Sequence, residues 1–143
     1  MPVNWKKAQQ KSAKTARWSV TMTKVRIRRV LSRTHWELVT FCGRAGGESV
    51  GVVDLVAVRK DHRKPAGRIK RGDALQLILI QVKGGRAAKP TPEDATRLRA
   101  VAKRHGAGPV LLATWKKGTA ARFYRLSDRR VWSEVLDLDS VFR

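Results

Sequence analysis

LQLILIQVKGG, residues 75–85, is an apolar run of strand character that closes on a glutamine, a valine, a lysine and two glycines. Alternation along a strand puts Gln81 and Lys83 on one face and turns Val82 to the other. An amide and an ammonium at the tip of an apolar strand are expensive to bury alone. The lysine must leave the core, pair with an acid, or take part in chemistry.

A second run, VVDLVAV at 52–58, is β-branched with apolar residues on both faces, as in a strand covered on both sides. Asp54 interrupts it. If the two strands pair with their polar groups on one face, a carboxylate, an amide oxygen and an ammonium converge. The two oxygens are hard ligands suited to Mg²⁺ or Mn²⁺. The lysine is placed to orient or deprotonate a water, or to neutralise charge building on a phosphoryl group.

The rest of the chain supplies a partner for such a site. Within 143 residues, enough for one domain with a real core, 32 Lys and Arg outweigh 11 Asp and Glu, for a net charge of +21. A field of that sign attracts polyanions, nucleic acid first and an anionic membrane second. No stretch reaches the roughly 18 apolar residues of a membrane span, and no apolar segment follows the basic N-terminus as in a secretory signal. The single cysteine, Cys42, excludes an internal disulfide and suits a reducing cytoplasm.

Residues 1–34 hold no acid. Up to Arg17, with Lys6, Lys7, Lys11 and Lys14, they read as a flexible basic arm, leaving 18–143 as the folded domain. A helix is expected from Thr23 to about Arg33 and a strand over Trp36–Cys42, followed by the glycine-rich GRAGGES. Between the two decisive strands runs a basic loop containing Arg63, Lys64, Arg68, Lys70 and Arg71. Thr91 caps a second helix, with Pro92 in its first turn and Gly106 as its terminator. PVLLATW and ARFYRL form a strand hairpin across KKGT, and the tail VWSEVLDLDSVFR has no decided structure. That order predicts an α/β fold on a mixed sheet.

GVVDLVAVRK (51–60) and LILIQVKGG (77–85), followed by the helix TPEDATRLRAVAKRHG and the strand PVLLATW, resemble the PD-(D/E)XK nuclease superfamily, in its archaeal Holliday junction resolvase-like branch. The resemblance spans about Thr23 to Leu126. It implies a restriction-endonuclease-like mixed central sheet flanked by helices. It also implies a Mg²⁺- or Mn²⁺-dependent endodeoxyribonuclease of DNA recombination and repair, acting on branched DNA as a homodimer. Asp54 then stands at the metal-binding aspartate, Gln81 at the second ligand, Lys83 at the catalytic lysine, and Val82 offers its backbone carbonyl to the metal.

The chain departs from that pattern in three places. Val53 replaces a proline, Gln81 replaces a glutamate, and the first helix has no acid. Glu37 is the substitute acid if a hairpin through GRAGGES sets it one diagonal from Asp54, about 7–8 Å away; Glu48 is the other candidate. The DNA-binding residues are then Lys6, Lys7, Lys11, Lys14 and Arg17 of the arm with Arg63, Lys64, Arg68, Lys70 and Arg71 of the loop. Against the nuclease stands a second reading: a non-catalytic, basic nucleic-acid-binding protein on the same fold, with Asp54 and Lys83 as a structural ion pair. His35, His62 and His105 have no ligand spacing, and Cys42 reads as a small core residue.

Overall fold

The structure, a computed structural model, describes residues 3–41, 50–63, 65–85 and 90–143. Helix α1 (Trp5–Leu31) leads into strands β1 (Glu37–Thr40), β2 (Leu55–Lys60) and β3 (Leu75–Gly84). Helix α2 (Pro92–His105) follows, then β4 (Val110–Trp115), β5 (Arg122–Leu126), β6 (Trp132–Val135) and a 3-10 turn (Leu138–Ser140). The strands form one six-stranded sheet in sequence order, antiparallel throughout except for the parallel β3–β4 pair that α2 connects. The fold is therefore α/β, a mixed sheet flanked by helices, as expected.

Alternation along the central strands divides the core. Leu55, Ala57, Ile78, Ile80, Leu111, Ala113 and Phe123 meet Ile27 and Leu31 of α1 on one face. Leu79, Val110 and Leu126 meet Ala95, Leu98 and Ala102 of α2 on the other. α2 is closed as its sequence required. The Thr91 hydroxyl accepts from the Asp94 N–H while the Asp94 carboxylate accepts from the Thr91 N–H, and Gly106 ends the helix at φ 62°.

Three sequence expectations need correction. α1 starts at Trp5, eighteen positions before the expected Thr23, so the basic residues from Trp5 to Arg17 are helical, with Asn4 accepting from the Lys7 N–H. Lys, Ala and Gln are good helix formers, and repulsion between like charges at helical spacing costs only a few tenths of a kcal/mol per pair. The strand carrying the aspartate begins at Leu55, which leaves Asp54 just outside it. The undecided tail forms β6 and the 3-10 turn, ending in Phe142, which is fully buried.

α1 lies along one face of the sheet. Ile27 and Leu31 pack at the end where Glu37 pairs with Val58, and Ser19 packs at the other end, against Gly84. A Cβ on Gly84 would collide with Ser19 Oγ, so this glycine is what lets helix and strand approach. Every described side chain from Val3 to Lys14 is exposed. Ten residues of helix, Trp5–Lys14, therefore project about 15 Å past the sheet, at the end where β3 finishes.

Candidate active site

Asp54, Gln81 and Lys83 are brought together at that same end. The β2–β3 register pairs Leu55 with Ile80, which sets Asp54 beside Gln81. The Asp54 N–H donates to the Ile80 carbonyl at 2.9 Å, and the Asp54 carbonyl accepts from the Phe41 N–H at 3.0 Å. Where a continued strand would offer another backbone carbonyl to β3, the aspartate offers its side chain instead: Oδ2 accepts from the Val82 N–H at 2.7 Å. The carboxylate thus satisfies a strand donor that would otherwise be orphaned, and this fixes its position. In a strand a residue's N–H and C=O point to the same neighbour, so the Val82 carbonyl lies on the edge of β3 that faces Asp54.

Gln81 is 5 % exposed, and its Oε1 has no hydrogen-bond partner among the described residues. Leaving a buried amide oxygen unmatched costs about 1–3 kcal/mol. Lys83, two residues on and half-buried, follows on the same face, the one opposite α1. The described ion pairs are Asp61–Arg63, Asp128–Arg99 and Glu134–Arg122, and Lys83 is in none of them. The carboxylate, the amide oxygen and the Val82 carbonyl are three hard oxygen donors, a set suited to Mg²⁺ or Mn²⁺. The unmatched Gln81 oxygen is what a ligand kept for a cation leaves behind, so these residues fit such an ion. Among the described residues no three His, Cys, Asp or Glu side chains cluster where they could hold a metal ion.

Other expected residues do not converge. Glu37 pairs with Val58, not with the Asp54 end of β2. Four residues of strand separate them, about 13 Å, because the hairpin register puts Thr40 and Phe41, rather than Glu37, at the aspartate. Glu48, Lys64 and Cys42 lie outside the described residues.

The basic loop joins β2 and β3 at the far end, beyond the Lys60–Leu75 pair, about 20 Å of strand from Asp54. Within it Arg63 is committed to Asp61, with N···O distances of 2.9, 3.1 and 2.6 Å. Those bonds hold the Asp61 carboxyl down at about 2, so the pair stays charged on both sides through the neutral range. Lys6, Lys7, Lys11, Lys14 and Arg17, by contrast, lie on the part of α1 at the site's end of the sheet. Sequence reasoning missed the polar positions of β4 and β5, because ARFYRL read simply as a hairpin partner. Its alternation carried a signal, Arg122 and Tyr124 sharing one face, that only the sheet order connects to Lys83.

A strand-end carboxylate, a buried amide and a lysine thus share one face of a mixed sheet that carries helices on both faces. No family model matches the chain, and no curated protein sequence matches it. Among solved structures the fold is similar to that of Hjc, a Holliday junction resolvase from Archaeoglobus fulgidus. The two are 18 % identical, with 85 % of this chain and 90 % of that one covered, at a TM-score of 0.40. No helix among the described residues is long and apolar enough to cross a membrane.

Proposed function

We propose that this protein is a metal-dependent, structure-selective DNA endonuclease, with a Holliday junction resolvase as the favoured subtype. The observation that carries the reading is the buried, unmatched Gln81 amide oxygen beside the Asp54 carboxylate. Asp54, Gln81 and the Val82 carbonyl would hold Mg²⁺ or Mn²⁺, which supplies Lewis-acid neutralisation of phosphoryl charge.

The Asp54 carboxylate is oriented by the Val82 N–H, so its second oxygen keeps a fixed direction. Lys83 presents an ammonium on the same face, where it orients a water for attack or stabilises charge developing on the phosphodiester. The basic projecting turns of α1 hold duplex backbone at the same end without reading sequence. A four-way junction offers two equivalent strands, which a two-fold homodimer matches.

One observation favours the second reading, a DNA-binding protein without catalysis: among the described residues no three His, Cys, Asp or Glu side chains gather to hold a metal ion. Titration of Mg²⁺ and Mn²⁺ against a four-way junction, a flap, a nicked duplex and a linear duplex separates the two. We expect metal-dependent cleavage with preference for branched DNA, abolished in Asp54→Asn while DNA binding persists. Asn keeps an oxygen for the Val82 N–H but loses the anionic ligand. Metal-independent binding with no cleavage of any substrate selects the second reading.

A further inference from the structure

Beyond Lys83 the same face of the sheet continues as a line of polar side chains. The β3–β4 register sets Thr114 beside Lys83, and the β4–β5 register sets Arg122 beside Thr114. One step along the strands, Gln81 is followed by Leu112, Tyr124 and Glu134. Ala113 and Phe123 belong to the cluster under α1, so Thr114 and Arg122 alternate to the opposite face, the one that carries Lys83.

Arg122 is not spent on packing. Its side chain is 62 % exposed. Nε and Nη2 both reach one oxygen of Glu134, at 3.0 and 2.8 Å. A guanidinium has five N–H donors in a rigid fork, and the hydrogen bond to Glu134 engages one of them, Nε–H. An ion pair this exposed adds little to stability, so the fold alone does not require the guanidinium there.

We propose that Thr114 and Arg122 form a phosphate-holding strip beside the site, in which Arg122 takes a phosphodiester flanking the one at Lys83 and Glu134 holds the guanidinium fork in position. Two strand spacings, about 10 Å at the backbone, separate Lys83 from Arg122, a span that the long side chains close from both ends. Holding a flanking phosphate fixes the register of the DNA strand on the sheet, and with it the position of the reacting bond. The inference rests on the reading of this face as the DNA face.

Arg125 supplies an internal control: it is exposed on the same strand with the same charge, yet it alternates to the α1 side. Binding of the full chain to a labelled four-way junction is measured in EDTA across a salt series for the parent, Arg122→Gln, Arg122→Lys and Arg125→Gln. We expect Arg122→Gln to weaken binding at least about fivefold more than Arg125→Gln and to flatten the log K against log salt slope by about 0.9, one phosphate contact. Arg122→Lys should fall between, since it keeps the charge and loses the fork. Equal losses at 122 and 125 overturn the strip. Because binding in EDTA is read apart from the metal titration of cleavage, the outcomes separate: asymmetric binding by a parent that never cuts in that titration removes the nuclease and leaves the strip, whereas cleavage there with equal binding losses removes the strip alone.

Discussion

At the scale of single residues, Gln81 is the position where folding and function make opposite demands. A buried amide oxygen without a partner destabilises the fold, so Gln81→Met, of similar size, should raise the melting temperature measured without metal. Adding Mn²⁺ should stabilise the parent and not the variant, since an ion that binds only the folded state shifts stability by mass action. Gln81→Glu should lower the metal concentration needed for half of that stabilisation, because it returns a charge to the ligand position. Thermal melts at graded Mn²⁺ read all three. A parent that gains nothing from Mn²⁺ or Mg²⁺ would leave Gln81 as a plain packing residue. Asp54 has a structural duty as well, since its carboxylate accepts the Val82 N–H. Asn is therefore the substitution that isolates chemistry, and Ala would confound the two.

At the scale of elements, the projecting first turns of α1 and the β2–β3 loop are both basic but stand at opposite ends of the sheet. The projecting turns of α1 carry Lys6, Lys7 and Lys11, and the loop carries Arg68, Lys70 and Arg71. Replacing either trio with Gln removes the same charge, so any difference reports place rather than net field. Filter binding to a four-way junction across a salt series should show the larger loss, and the flatter slope, for the helix trio. Each phosphate contact removed takes about 0.9 from the slope on duplex DNA. The reverse order would mean that DNA enters from the hairpin end and that the Asp54 end is not the DNA face. Melting temperature should hardly move for either trio, because all six side chains are exposed.

For the whole molecule, the last residues close the fold over the end remote from the site. Phe142 is fully buried, its ring meets Trp36 edge-on at 6.1 Å between centroids, and its carbonyl accepts from Trp36 Nε1 at 2.8 Å. Arg59 lies 4.3 Å over the Trp36 ring and donates to the Arg143 carbonyl at 2.8 Å. Phe142→Ala removes a large buried ring and should cost about 3–5 kcal/mol, on the order of 10 °C in melting temperature. Below that melting point DNA binding should be unchanged, because Trp36 and Phe142 sit at the Glu37–Val58 end of the sheet and Asp54 at the other. A loss of binding in still-folded Phe142→Ala, by circular dichroism and filter assay together, would show that the two ends are coupled.

Several features were legible in the residues themselves. The runs at 52–58 and 75–85 read as strands, the first of which begins only at Leu55, Thr91, Pro92 and Gly106 marked a helix, and KKGT marked a connection. These signals are local: periodicity, caps and turns depend on neighbours within a few positions. The grouping of Gln81 with Lys83 was local too, since alternation alone puts them on one face. What tertiary structure decided was everything that depends on register and sheet order. A shift of a few residues in the β1–β2 pairing carries Glu37 from the aspartate to the far end. Only the order β3–β4–β5 makes Lys83, Thr114 and Arg122 neighbours, because hydrogen bonds between strands, not spacing along the chain, set which side chains stand side by side.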